Sequence, residues 1–123
     1  MVLWAMQNSH GGEIFVPKIP SYRIMDVAKA IGPDCEHPIV GIRPGEKIHE
    51  EMITVSDSFN TVDLGHYFAI LSSTARISKE DYCKLTNATP IAQGVAYSSD
   101  NNPVFLSVDE LVNLIQDQLN VSL

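Results

Sequence analysis

Apolar residues recur at Val108, Leu111, Val112, Ile115 and Leu119, the spacing of one helix face, while Asp109, Asn113, Asp117 and Asn120 fall on other faces. Ser107, with Glu110 three positions on, forms a capping box that starts this helix. A second stripe, Ile24, Val27, Ala28 and Ile31, predicts another helix, with Ser21 as its N-cap and Gly32-Pro33 as its stop. Ile48, Met52 and Ile53 predict a third helix of about two turns. Val2 to Gln7 reads as a helix with no N-cap, closed by Asn8-Ser9-His10-Gly11-Gly12 with the glycines supplying a left-handed cap. Its abrupt start implies a helix that continues upstream in a longer protein.

Extended segments lie between these helices. Glu13 to Val16 reads as a strand, and Pro17-Lys18-Ile19-Pro20 forces an extended exit from it. Ile39-Val40-Gly41-Ile42 reads as a short buried strand, and Tyr67 to Leu71 as a strand rich in aromatic and branched residues. Gly94 to Ser99 gives one more extended piece. Ser56-Asp57 opens a polar connection, most of residues 72–92 read as loop, and Asp100 to Pro103 is a turn. The alternation predicts an α/β or α+β class, in one small mixed domain spanning residues 1–123, with residues 1–7 as the remnant of a preceding helix.

The totals narrow the partners. A chain of 123 residues with 45% hydrophobic content builds one modest core. Its formal net charge of -7 argues against a nucleic-acid partner but leaves room for a single phosphate site. Val2 to Met6 is too short and unflanked for a signal peptide or membrane span. Cys35 and Cys83 stand apart and read as reduced thiols, so the expected location is cytoplasmic, with no membrane partner.

Familiar catalytic patterns are missing. No glycine-rich dinucleotide fingerprint, P-loop or nucleophile elbow occurs, and His49-Glu50-Glu51-Met52 is followed by isoleucine where a zinc-binding helix needs histidine. The four histidines have no ligand spacing, so no metal site is expected. Neither Tyr22 with Lys29 nor Tyr82 with Lys84 has the Tyr-xxx-Lys spacing of a dehydrogenase. The one candidate is the turn Gly41-Ile42-Arg43-Pro44-Gly45-Glu46. Arg43 can fork two hydrogen bonds onto phosphate oxygens, and Glu46 can accept from a vicinal pair of hydroxyls. The same spacing also fits a solvated surface salt bridge.

Gly12 to Ser21, together with Val40-Gly41-Ile42-Arg43-Pro44-Gly45-Glu46-Lys47-Ile48-His49-Glu50, closely resembles the C-terminal part of the inverting UDP-N-acetylglucosamine 4,6-dehydratases. These are extended short-chain dehydrogenases of bacterial surface-polysaccharide and flagellin-sugar biosynthesis. Tyr97 to Asn102 before Phe105 to Leu111 agrees with that family's ending. The resemblance implies a substrate-binding domain without the Rossmann half, where the family keeps its NADP site and catalytic tyrosine, lysine and acid. It implies that Arg43 grips the pyrophosphate of a UDP-sugar, that Glu46 binds the ribose hydroxyls, and that Lys18 faces the nucleotide. It assigns no cofactor and no catalytic residue to this chain. The expectation is weak UDP-sugar binding without turnover. The alternative is a non-enzymatic module that self-associates, as a homo-oligomer or a dimer exchanging Val2–Gln7, or that docks on a Rossmann-domain partner. A relic that merely folds is the third reading.

Overall fold

A computed structural model of the chain describes residues 1–74 and 76–119, the last by its backbone alone. In chain order the elements are α1 (Val2–Asn8), β1 (Ile14–Pro17), α2 (Ile24–Ile31), β2 (Glu51–Ile53), α3 (Val55–Ser58), β3 (Thr61–Asp63), β4 (Tyr67–Ile70), α4 (Lys79–Thr86), β5 (Thr89–Pro90), β6 (Tyr97–Ser98) and α5 (Val108–Leu119). Every strand pairing in the two sheets is antiparallel, which places the chain in the α+β class. The elements gather into two compact units, Met1–Ile19 with Glu51–Ser98, and Pro20–Glu50 with the segment from Ser99 onward.

The first unit is built on a four-stranded sheet in the order β1-β4-β3-β5. Phe15 faces Ala69, and Val62 faces both Ala69 and Pro90. A two-residue loop turns β3 into β4. Leu64 N donates to Tyr67 O at 2.8 Å, and Gly65 at the first loop position has φ +89, the left-handed backbone that a II′ hairpin demands there. One side of the sheet closes the core of Val62, Ala69, Leu71, Tyr82 and Ala88, with Phe15, Leu64, Ile77 and Cys83 against it. Tyr82 reaches this core from α4. That helix starts on Ser78, whose hydroxyl accepts from Asp81 N at 3.1 Å, and ends on Asn87 at φ 56. On α1, Trp4 stacks on Tyr67 at 4.4 Å and meets Phe15 edge-on at 5.2 Å. β2 and β6 form a separate two-stranded ribbon that buries Ile53 completely.

In the second unit α2 packs against α5, burying Ala30 and Leu111. The buried residues Ser21 and Asn102 tie the ends of this unit together. Ser21 pairs with Phe105 as an isolated parallel bridge, its N–H donating to Val104 O and its carbonyl accepting from Leu106 N, both at 2.8 Å. Asn102 Nδ2 donates to Ser21 Oγ at 3.1 Å. The capping box on α5 forms as expected: Ser107 Oγ donates to Glu110 Oε2 at 2.7 Å, and Glu110 N donates back to Ser107 Oγ at 3.3 Å. Val108, Leu111, Val112 and Ile115 form its inner face; the Leu119 side chain and Asn120 lie outside the described residues.

Several sequence expectations are corrected. α1 ends on Ser9 in extended backbone, so the two glycines do not cap it. Ser21 spends its backbone on the bridge to Phe105, and Arg23 is the N-cap of α2, without a side-chain cap bond. The helix does stop at Gly32, but Ile24 and Ile31 of its predicted stripe are exposed. Ile39 to Ile42 is not a buried strand. Ile39 and Val40 are 85% and 92% exposed, Gly41 leaves the extended path at φ +86, and no neighbouring strand among the described residues offers a ladder. Glu51 to Ile53 is strand and not helix, because the ladder to Tyr97–Ser98 takes its backbone groups. Residues 56–57 lie in α3, and residues 79–86 form α4 where loop was expected.

Candidate functional site

The turn at Arg43 is in the second unit. Pro44 sets φ at the first central position and Gly45, at φ +82, takes the left-handed one, so the chain reverses and Glu46 N donates to Arg43 O at 3.0 Å. The reversal brings the two side chains together. Arg43 Nη2 donates to Glu46 Oε1 at 3.0 Å and Nε to Oε2 at 3.5 Å, while Arg43 N also donates to Oε2 at 2.9 Å. The side-chain bonds from Arg43, and then its backbone N–H, hold the Glu46 carboxyl below the usual range. It therefore stays a carboxylate, able to accept two hydroxyls. Arg43 is 84% exposed at its side chain, so its outer edge is open to an anion. The loop is fastened where it ends: Ser99 Oγ accepts from Glu50 N at 3.2 Å and lies 3.3 Å from His49 Nδ1, and Ser99 N donates to Glu50 O at 2.9 Å.

Lys18 belongs to the first unit. Its ammonium bonds both oxygens of Asp63 at 2.6 and 2.7 Å and lies 4.5 Å from the centre of the Phe68 ring. The structure thus joins Arg43 to Glu46 and commits Lys18 to an acid of the hairpin.

One polar cluster was not legible from motifs. Glu13, nearly buried at its side chain, accepts from Ser9 Oγ, His10 N and Gly11 N, each at 2.8 Å. Burial pushes its carboxyl up, but bonds from its own N–H and from these donors together outweigh that and bring it below the usual range. Part of the loop before Gly12 thus wraps an anion of the chain itself, and Gly11-Gly12 opens no helix. Among the described residues no helix is long and apolar enough to cross a membrane.

Residues 1–72 match the model of a family described as polysaccharide biosynthesis protein, and the chain belongs to that family. Over 118 residues it is 42% identical to the UDP-N-acetylglucosamine 4,6-dehydratase (inverting) of Campylobacter jejuni subsp. jejuni serotype O:2, covering 93% of this chain and 35% of that protein. A UDP-glucose 4-epimerase from Rickettsia canadensis is 35% identical over 74 residues, 57% of this chain and 22% of that one. The fold superposes on the X-ray structure of Pen from Bacillus thuringiensis with a TM-score of 0.73 at 29% identity, over 97% of this chain and 35% of that chain. The chain thus spans about a third of the length of the dehydratase it matches.

Proposed function

We propose that this chain is the part of a nucleotide-sugar enzyme of polysaccharide biosynthesis that holds a UDP-sugar, with Arg43 on the pyrophosphate and Glu46 on the ribose hydroxyls. The observation that carries the reading is the Arg43–Glu46 fork on its Pro-Gly turn, lying in a chain 42% identical to the dehydratase. The fork pre-aligns both groups. An exposed ion pair costs little to open, so Arg43 can swing its guanidinium to phosphate oxygens and leave the Glu46 carboxylate facing outward. These residues bind and position; the proposal gives them no proton transfer, assigns NADP to none of them, and expects no turnover by the chain alone.

The test is calorimetric titration of UDP-N-acetylglucosamine into the wild type, Arg43→Ala and Glu46→Gln. A bidentate charged contact predicts a loss of about tenfold or more for Arg43→Ala. Equal affinity in all three chains would sink the assignment.

A second reading, a self-associating or partner-docking module, is favoured by one observation. Val2, Leu3 and Met6 of α1 are 72%, 76% and 75% exposed. Such a surface seeks an apolar partner. Sedimentation over a concentration series decides it: a monomer at every concentration removes the self-associating form.

A further inference from the structure

Two adjoining hollows open in the first unit beside the loop that follows α1. The outer one, about 380 Å³, is lined by His10, Gly11, Gly12, Ser72, Thr74 and Arg76. No carboxylate stands in that wall, although the chain carries a net charge of -7. The inner one, about 10 Å³, shares four of these residues and adds Glu13 and Tyr82. Its size is that of a single water.

The donors are unspent. Arg76 is exposed and pairs with no acid among the described residues. The Ser72 and Thr74 hydroxyls lie 2.9 Å apart, so one hydrogen satisfies the pair and the other is left to point outward. The Tyr82 hydroxyl is buried, in a residue only 2% exposed, and has no hydrogen-bond partner among the described residues. A buried hydroxyl left unpaired costs stability unless a ligand or solvent group meets it. Glu13 does not compete for these donors, because its oxygens are held by Ser9, His10 and Gly11.

We infer that the outer hollow binds a small oxyanion of the phosphate class, with Arg76 as its charged fork, the Ser72–Thr74 pair as second donor and Tyr82, which lines the inner hollow, as the donor beneath it. The site is independent of the Arg43–Glu46 turn and does not rest on the UDP-sugar reading. Burial, with the Glu13 charge as a second cause, pushes the Tyr82 phenol up to about 12, which keeps it a donor at neutral pH.

The experiment is an NMR titration of the full chain with inorganic phosphate, following the amides of Gly12, Ser72 and Thr74, with chloride at matched ionic strength as the control. Saturable shifts with phosphate alone are expected. Arg76→Ala should weaken binding about tenfold, as loss of a charged bidentate contact does. Tyr82→Phe should weaken it several-fold while keeping the fold, since its hydroxyl bonds none of the described residues. Equal dissociation constants for wild type and Arg76→Ala, or the same shifts with chloride, would overturn the site. Unchanged affinity in Tyr82→Phe would remove Tyr82 from it.

Discussion

Lys18 grips both oxygens of Asp63, at 2.6 and 2.7 Å, across 45 positions of sequence. The pair links the exit of β1 to the tip of the β3–β4 hairpin, where Asp63 Oδ1 also accepts from Gly65 N at 2.7 Å. Both side chains are about two-thirds buried, at 31% and 30% exposure. The pair is therefore screened less than a surface one, and Asp63 serves the turn as well as the lysine.

Removing Asp63 should cost more than removing Lys18. Asp63→Ala loses the ion pair and the turn bond together, and should lower stability by about 1–2 kcal/mol. Lys18→Met replaces the ammonium over the Phe68 ring with an apolar chain of similar length and should cost about 1 kcal/mol or less. Urea unfolding of the two variants checks the order, which the reverse ranking would refute. UDP-N-acetylglucosamine affinity should be the same in Lys18→Met as in wild type if the Asp63 pair holds the ammonium throughout; a weakened affinity would place Lys18 at the nucleotide.

Three helices begin on the same device. Thr54, Ser78 and Ser107 each accept from the backbone N–H of the acid three positions on, at 3.2, 3.1 and 3.3 Å, and each donates its hydroxyl to that acid's carboxylate. Alanine at Ser78 or Ser107 should cost about 1 kcal/mol. Thr54→Ala should cost less, since α3 has only four residues to lose. Thermal melts of the three variants test the ranking.

That shared signature also shows what was legible in the sequence. The Ser-xx-Glu before α5 announces a helix because an apolar stripe follows it. The equivalent Ser78-xx-Asp81 precedes Tyr82 and Leu85, and only Tyr82 is buried there, so no stripe confirmed it. Ile39 to Ile42 shows the opposite failure. Branched residues were read as a strand, but a strand exists only where another backbone completes its hydrogen bonds, and that partner cannot be read locally. The Arg43–Glu46 turn was legible because Pro44, Gly45 and the two charges all act within four residues. The hollow at Arg76 was not, because it joins segments more than 50 positions apart by way of the sheet.

Asn102 should be the costliest polar residue of the second unit to remove. It donates to Ser21 Oγ at 3.1 Å in a buried bond, and its Oδ1 accepts from Val104 N at 3.1 Å in a part-buried one. Asn102→Ala leaves Val104 N and Ser21 Oγ short of a partner and should cost about 1–3 kcal/mol. Asn102→Asp, which keeps the acceptor but not the donor, should fall between wild type and alanine at neutral pH. Hydrogen exchange at Val104 reports the same loss locally, and unchanged protection in the alanine variant would refute the role.

Tyr82 and Glu13 should shape the two ends of the stability–pH profile in opposite senses. The Tyr82 phenol is raised in the folded state to about 12, from 10.0. Above 10 the unfolded chain releases this proton while the folded chain keeps it, so stability falls as pH rises through that window. Below 10 both states are protonated and the contribution is fully present. Glu13 is lowered from 4.5, so its contribution is present above that value and is lost as pH falls through the folded value. Tyr82→Phe should therefore flatten the alkaline limb and leave the acid limb unchanged, whereas Glu13→Gln should flatten the acid limb. At neutral pH, Tyr82→Phe should be neutral or slightly stabilising, because it removes a buried hydroxyl with no partner among the described residues, while Glu13→Gln should cost about 1–2 kcal/mol by breaking up its donor set. Urea midpoints measured from about pH 3 to about pH 11.5 give both limbs in one series. An alkaline limb as steep in Tyr82→Phe as in wild type would show that another group carries it.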